Sequence, residues 1–289
     1  MGYVCLFLQA LIFSFGGILI KTASHSFSPF MVSFLRFATG VALLLILQVV
    51  RIGKPKLKLL NRIILFGGLA KALHYIGENF GVAHGFSYGN VLIWPVQTVV
   101  ILLISTLILK EKVTRRAILG AVLCVTGIVL LMWNGMPIRQ FIGGQGPLLA
   151  VFVVAGIGAS LFTFAQKRLL DQMDTVTMNS SMFIVGAICT GVVLPATDAP
   201  VLELRLPAVL SMLVLGAITG VGFLLQAEGL KTVPIFTATV IQSSSVLLSL
   251  LWAALLYGET ITPWILAGTG LFIVGIILVN MKGHLVRSR

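Results

Sequence analysis

Apolar residues run along this chain in blocks of about 20, separated by short clusters of lysine, arginine, glycine and proline. Ten such blocks are readable, at roughly 3–21, 29–50, 63–83, 88–109, 117–134, 147–167, 177–196, 208–230, 235–257 and 262–281. Each has about the length a helix needs to cross the hydrocarbon of a bilayer. The pattern predicts ten membrane-spanning helices. The first block follows an uncharged start and lacks a small-residue cleavage site, so it is expected to remain as a helix.

Composition agrees with that solvent. Hydrophobic residues make up 58% of the 289 positions, charged residues 10%, and the mean hydropathy is +1.09. A soluble domain carries about a quarter charged residues. A formal charge of +12 could suggest nucleic acid, but the basic residues lie between apolar blocks, which is a topology signal instead. Nucleic-acid binding is set aside on that ground. Cys5, Cys124 and Cys189 fall inside apolar blocks without paired or metal-ligand spacing and read as small buried hydrophobes.

Numbering the loops alternately puts 15 of the 18 loop lysines and arginines on one side. Lys21, Arg139 and Arg205 occupy the other, while Arg36 and Lys71 lie inside spans. Positive loops stay cytoplasmic, so both termini are expected inside.

The chain also repeats itself. Leu107–Leu130 reads LILKEKVTRRAILGAVLCVTGIVL and Leu255–Leu278 reads LLYGETITPWILAGTGLFIVGIIL, 148 residues later. At that offset Glu111, Thr114, Gly120, Leu123, Gly127, Ile128 and Leu130 meet Glu259, Thr262, Gly268, Leu271, Gly275, Ile276 and Leu278. Five spans per copy is an odd number, so the second copy must cross the membrane upside down. The fold expected is an all-α integral membrane protein of ten transmembrane helices, arranged as two inverted five-helix repeats at 1–140 and 147–289. The linker is placed near Gly135–Gly146, where GMPIRQFIGGQG interrupts the apolar pattern. Glu111 and Glu259, in the short turns, read as capping groups.

These turn-and-helix units, with AHGFSYGNVLIWPVQ in the fourth span, resemble the EamA family of the drug/metabolite transporter superfamily over essentially the whole chain. Pro95 stands where that family's fourth helix often carries a proline, and there it would open the hydrogen-bond ladder. Ser243, at the matching place in the second half, departs from the pattern. The resemblance implies scaffold and transport activity. It does not imply a substrate.

Ionisable groups within a bilayer are costly and ask for an explanation. The third span concentrates them: Lys71, His74 and Glu78, with Tyr75 and Asn79 beside them. Spacings of three and four put Lys71, His74, Tyr75 and Glu78 on one stripe, which borders either a wet cavity or a structural network. Glu78 lies about five residues, roughly 8 Å, from the outer end of its span. Arg36 reaches a similar depth in the second span, so Glu78 either pairs with Arg36 or titrates during transport. Lys71, near the midplane, suits a substrate carboxylate or phosphate, or else pairs with Glu78 or helix-end carbonyls. His74 reads as a proton relay or a hydrogen-bonding core residue. His74 and Glu78 have metal-pair spacing but no third ligand, so no metal and no cofactor is expected. Trp94 and Gln97 in the fourth span, with Gln226 and Gln242 at the positions matching Glu78 and Trp94, complete the candidate substrate-binding set.

Gly77, Gly81, Gly85 and Gly89, and the pair Gly216 and Gly220, read as helix-packing seams. HExxH, paired intramembrane aspartates, a credible Ser–His dyad and a nucleotide-binding loop are all missing from the sequence. The reading that emerges is not an enzyme. It is a secondary active transporter in the plasma membrane (a bacterial inner membrane) that moves a small polar or amphipathic metabolite, amino-acid-like or similar, by alternating access. Export is the expected direction, membrane lipid surrounds the chain, and proton coupling and a homodimer stand as expectations. The alternatives are a membrane-embedded enzyme, or a channel-like or structural membrane subunit.

Topology is directly testable. Reporter fusions after Arg289 and within Gly143–Gly146 should report opposite sides of the membrane, the first cytoplasmic. Both reporters on the same side would overturn the ten-span reading.

Overall fold

The computed structural model describes residues 1–85, 89–110, 113–196, 203–258 and 260–280, and among these every regular element is a helix. In the amino-terminal half α1 (Gly2–Phe13) and α2 (Gly16–Ala23) together form one apolar stretch, followed by α3 (Pro29–Ile52) and α4 (Arg62–His84). A 3-10 turn at Gly89–Leu92 opens α5 (Ile93–Leu103), which ends in a π turn at Ile104–Ile108, and α6 (Arg115–Trp133) closes the half. The other half comprises α7 (Ile138–Leu169), α8 (Thr175–Val193), α9 (Leu206–Leu230), α10 (Ile235–Gln242), α11 (Ser245–Tyr257) and α12 (Pro263–Asn280).

Short polar side chains set the helix starts. Ser28, Asn61, Thr114 and Asp174 each accept a hydrogen bond from a backbone N–H of the first turn of α3, α4, α6 and α8. Left-handed residues stop three of them: Gly53 after α3, Asn134 after α6 and Gly258 after α11. Glu111 and Glu259, expected as caps, lie outside the described residues.

Among the described residues, eight helical segments are long and apolar enough to cross a membrane: Gly2–Ala23, Pro29–Ile52, Gly89–Ile108, Arg115–Trp133, Pro147–Leu169, Thr175–Ala196, Leu206–Leu230 and Ile235–Leu256. The other two expected spans are also helical. α4 carries the polar stripe, and α12 is apolar over Pro263–Gly275. α4 is polar inward and apolar outward, with Lys71, Tyr75 and Glu78 buried while Leu65, Leu69 and Leu73 are exposed. The outer surface of the bundle is apolar, as lipid requires.

Three local expectations need correction. The helix break between halves falls at 134–137, not across Gly135–Gly146, because α7 already begins at Ile138. Glycine weakens a helix but leaves its N–H donors intact, so the ladder can continue up to Pro147. Pro95 does not interrupt the middle of its span: it is the third residue of α5, where the 3-10 turn Gly89–Leu92 gives way to α-helix, so its missing N–H falls at that junction. The comparable break instead separates α10 from α11, where Ser243 Oγ donates back to the Thr239 carbonyl at 2.9 Å. Of the three cysteines, Cys124 is buried while Cys5 and Cys189 are partly exposed.

Packing follows the small residues. Gly77, Gly81 and Gly89 face Ala155 and Phe152 of α7, whereas Gly85 meets only its own chain and Leu148. Gly216 and Gly220 face Thr39, Gly40 and Leu43 of α3. The closest seam joins α6 to α12, where Gly127 abuts the Gly268 carbonyl and Gly275 abuts the Gly120 carbonyl. Cys124 Sγ donates to the carbonyl of Phe272 at 3.6 Å, the residue 148 positions on. Other helix contacts recur at the same offset: α4 packs on α7 as α9 packs on α1 and α2, and α3 packs on α9 as α8 packs on α4.

A Cβ added at Gly127 would sit 2.5 Å from the Gly268 carbonyl, whereas at Gly270 it would meet nothing within 4 Å. Gly127→Ala should therefore cost about 1–3 kcal/mol, as overpacking does, and Gly270→Ala almost nothing. Thermal unfolding of the purified protein in detergent checks this, and equal midpoints for the two variants would remove the seam's structural importance.

Candidate functional site

Buried arginine, lysine and glutamate side chains meet at one cavity together with several buried amides. It holds about 570 Å³ of non-atom space and is bordered by side chains from both halves. All nine sequence candidates line it: Arg36, Lys71, His74, Tyr75 and Glu78, Trp94 and Gln97, and Gln226 and Gln242.

Arg36 anchors one end. Its Nη1 donates to Glu78 Oε2 at 2.8 Å and to Asn79 Oδ1 at 2.9 Å, and its Cζ lies 3.7 Å from the centre of the Tyr75 ring. Asn79 Nδ2 passes the chain on to Ser33 Oγ at 2.7 Å. Asn90 Nδ2 approaches the other Glu78 oxygen at 3.5 Å. The pairing of Arg36 with Glu78 expected from their common depth is present, and it neutralises both charges.

Lys71 behaves differently from either structural expectation. It meets neither Glu78 nor a helix-end carbonyl. Its Nζ is 2.9 Å from His74 Nδ1 and stands over three rings, 3.8 Å from Phe223, 4.1 Å from Tyr75 and 5.1 Å from Phe162. Ring faces attract an ammonium, and the attraction grows when water is excluded. With Lys71 donating to Nδ1, the imidazole proton sits on Nε2, which lies 3.8 Å from Glu78 Oε2. The imidazole lies between lysine and carboxylate, within hydrogen-bond distance of the first and beyond it from the second.

The second half contributes hydrogen-bonding groups without charge. Tyr75 OH and Thr219 Oγ1 meet at 3.0 Å, linking α4 to α9. Gln97 Nε2 and Gln226 Nε2 both donate to Thr163 Oγ1, at 3.2 and 3.0 Å. Several lining atoms find no partner among the described residues: both amide atoms of Gln9, Nε2 of Gln242, Nε of Arg36 and Oδ1 of Asn90. Buried polar atoms without partners are uncommon and point to a ligand or water.

Sequence reasoning missed Gln9, Asn90, Thr163 and the ring residues Phe13, Phe162 and Phe223. Two signals were available. Gln9 is the one polar residue in the run Cys5–Phe13, and Phe223 is the residue 148 positions after Tyr75. Among the described residues, no group of three or more His, Cys, Asp and Glu gathers as a metal site would require.

Residues 1–133 and 146–281 each match the EamA-like transporter family. The chain belongs to that family. It is a multi-pass membrane transporter. An uncharacterized transporter from Clostridium kluyveri is 26% identical over 96% of this chain and 92% of its own length. Another from Archaeoglobus fulgidus is 26% identical over 91% of this chain and 92% of its own. A crystal structure of a protein 16% identical in sequence superposes with a TM-score of 0.80, covering 97% of this chain and 98% of that one. That likeness concerns the fold.

The Arg36–Glu78 pair generates a prediction. Arg36→Met or Glu78→Gln alone leaves a buried partner unsatisfied and should cost about 3–5 kcal/mol, whereas the double variant should recover much of that loss. Thermal unfolding and membrane yield of all four proteins decide it. A double variant no better than the worse single would argue that the two groups act independently.

Proposed function

We propose that this transporter is a secondary carrier that moves a small polar or amphipathic metabolite across the plasma membrane by alternating access, in the direction of export. The observation that carries this reading is the cavity. It gathers two cations, a carboxylate, amides and aromatic rings inside a bundle whose outer surface is apolar. Transporters built of inverted repeats hold substrate where the repeats meet.

The same reading takes the chain as ten spans in two inverted five-helix repeats, 1–140 and 147–289, with both termini cytoplasmic. The reciprocal contacts support it. When Gly127 meets Gly268 and Gly120 meets Gly275, each residue touches the other's counterpart, as an in-plane two-fold axis demands. Tyr75 and its counterpart Phe223 face each other with ring centres 6.4 Å apart, so the proposed axis passes through the cavity wall. Proton coupling is assigned in this proposal to Glu78 and His74, which lie 3.8 Å apart. A homodimer remains part of the proposal. A membrane-embedded enzyme is disfavoured because, among the described residues, the cavity's one carboxylate is held by Arg36 and no group of three or more His, Cys, Asp and Glu gathers.

Solvent access tests the site. In a background lacking Cys5, Cys124 and Cys189, single cysteines at 74 and 78 should react with a polar thiol reagent and be protected by transported solute. Lys71→Ala should abolish most counterflow of labelled metabolites in liposomes while leaving insertion intact. Unreactive cysteines in well-folded protein, under every condition that supports flux, would make the cluster structural and move the site elsewhere.

A further inference from the structure

We infer that the cavity is built for a small organic monoanion, a carboxylate attached to an apolar or aromatic body. This rests on the carrier reading above and adds the charge and shape of what is carried.

Charge comes first. Arg36 of α3 and Glu78 of α4 cancel each other at 2.8 Å. Lys71 has no carboxylate within ion-pair distance among the described residues; a histidine nitrogen and three rings surround it. The lining residues from α1, α2, α5, α7, α9 and α10 are all uncharged. Lys71 is therefore left, without a carboxylate partner among the described residues, as a cationic side chain buried where an unpaired ion is costly. A ligand with one negative charge completes the pairing.

Hydrogen-bonding capacity points the same way. Lys71 has three N–H donors and uses one on His74. Arg36 Nε, Gln9 Nε2 and Gln242 Nε2 are further donors without partners among the described residues, against two such acceptors, Gln9 Oε1 and Asn90 Oδ1. The surplus of donors calls for oxygen acceptors. The remaining wall is aromatic, from Phe13, Trp94, Phe162 and Phe223, and fits an apolar body.

The alternatives fit less well. A phosphate monoester brings about −1.5 to −2 at neutral pH, more than Lys71 balances. An amine repels Lys71, and the one carboxylate is already held by Arg36. An α-ammonium on the carboxylate would add a further cation to a cavity whose lining carboxylate, Glu78, is already paired with Arg36.

The test uses the purified full-length protein in nanodiscs and a series with one body: 3-phenylpropionate, 3-phenylpropionamide, 3-phenylpropylamine, phenylalanine and 2-phenylethyl phosphate. A second series, on 4-methylpentanoate, covers an aliphatic body. Binding is read by Trp fluorescence and by the shift in unfolding midpoint. The carboxylate of at least one series should bind about tenfold or more tightly than its amide, amine, zwitterion and phosphate. Lys71→Gln should erase the discrimination and Lys71→Arg should keep it. Equal or tighter binding by another charge class, binding by neither carboxylate, or discrimination intact in a folded Lys71→Gln protein overturns the proposal. If Lys71→Gln does not fold, the wild-type series still decides. Liposome counterflow separates the two readings: flux confined to amines or neutral solutes sinks this inference and spares the carrier, whereas no flux of any solute sinks the carrier reading alone.

Discussion

The polar interior depends on Arg36. A guanidinium inside a bilayer-spanning bundle must be satisfied on the spot, because lipid supplies neither counter-ion nor acceptor. Glu78 and Asn79 accept from Nη1, and the Tyr75 ring lies under the guanidinium plane. Those three residues sit on one face of α4, so satisfying Arg36 fixes how α4 is rotated against α3. Once that rotation is set, Lys71 and His74 must point into the same space, since spacings of three and four keep them on the stripe. Leu65, Leu69 and Leu73 are turned outward by the same rotation. One ion pair thus decides which side of α4 sees lipid and which sees the cavity.

The pairing of the two halves supplies the second constraint. In each half a lysine from the first span ties down the end of the third. Lys21 donates to the carbonyls of Val82, Ala83 and Gly85, and Lys167 donates to that of Leu230, the residue 148 positions after Val82. A cation at a helix C-terminus is favourable because the last carbonyls carry partial negative charge. The two ties hold each half together internally. Between the halves lie instead the glycine seam of α6 with α12, the aromatic layer of Tyr75 and Phe223, and neutral hydrogen bonds.

Much of this was legible in the residues because membrane helices obey a strict rule. Apolar length, loop charge and the 148-residue offset marked where helices lie, and depth counting brought Arg36 to Glu78 before any coordinates. The nine candidate residues share a cavity because polar side chains in lipid have nowhere to go but inward. What stayed hidden depended on rotation and on neighbours from distant spans. Gln9 is a single polar residue in an apolar run, and nothing local says whether it faces the cavity. The ring faces around Lys71 come from α4, α7 and α9, so no short-range pattern could assemble them. The break after Gln242 coincides with serine back-bonding, a weaker local signal than the proline at 95, which sits where a 3-10 turn gives way to α5.

Lys71 and Glu78 fail to pair for a geometric reason that bears on mechanism. Seven residues apart on one helix, they are separated by about 10 Å of rise, and Arg36 already occupies the carboxylate while His74 fills the gap. The result is a neutral ion pair on α3 and α4 and a separate cation beside the proposed axis. The ion pair belongs wholly to one half. The hydrogen bonds that cross between halves at the cavity, Tyr75 with Thr219 and Gln97 with Thr163, join uncharged groups, while Lys71 crosses by standing over the Phe162 and Phe223 rings. Under the alternating-access reading, the halves can move past each other by exchanging bonds of about 1 kcal/mol each. Breaking a buried ion pair would cost about 3–5 kcal/mol. Under that reading the Arg36–Glu78 pair, confined to one half, can persist while the uncharged hydrogen bonds between the halves and the aromatic surround of Lys71 exchange.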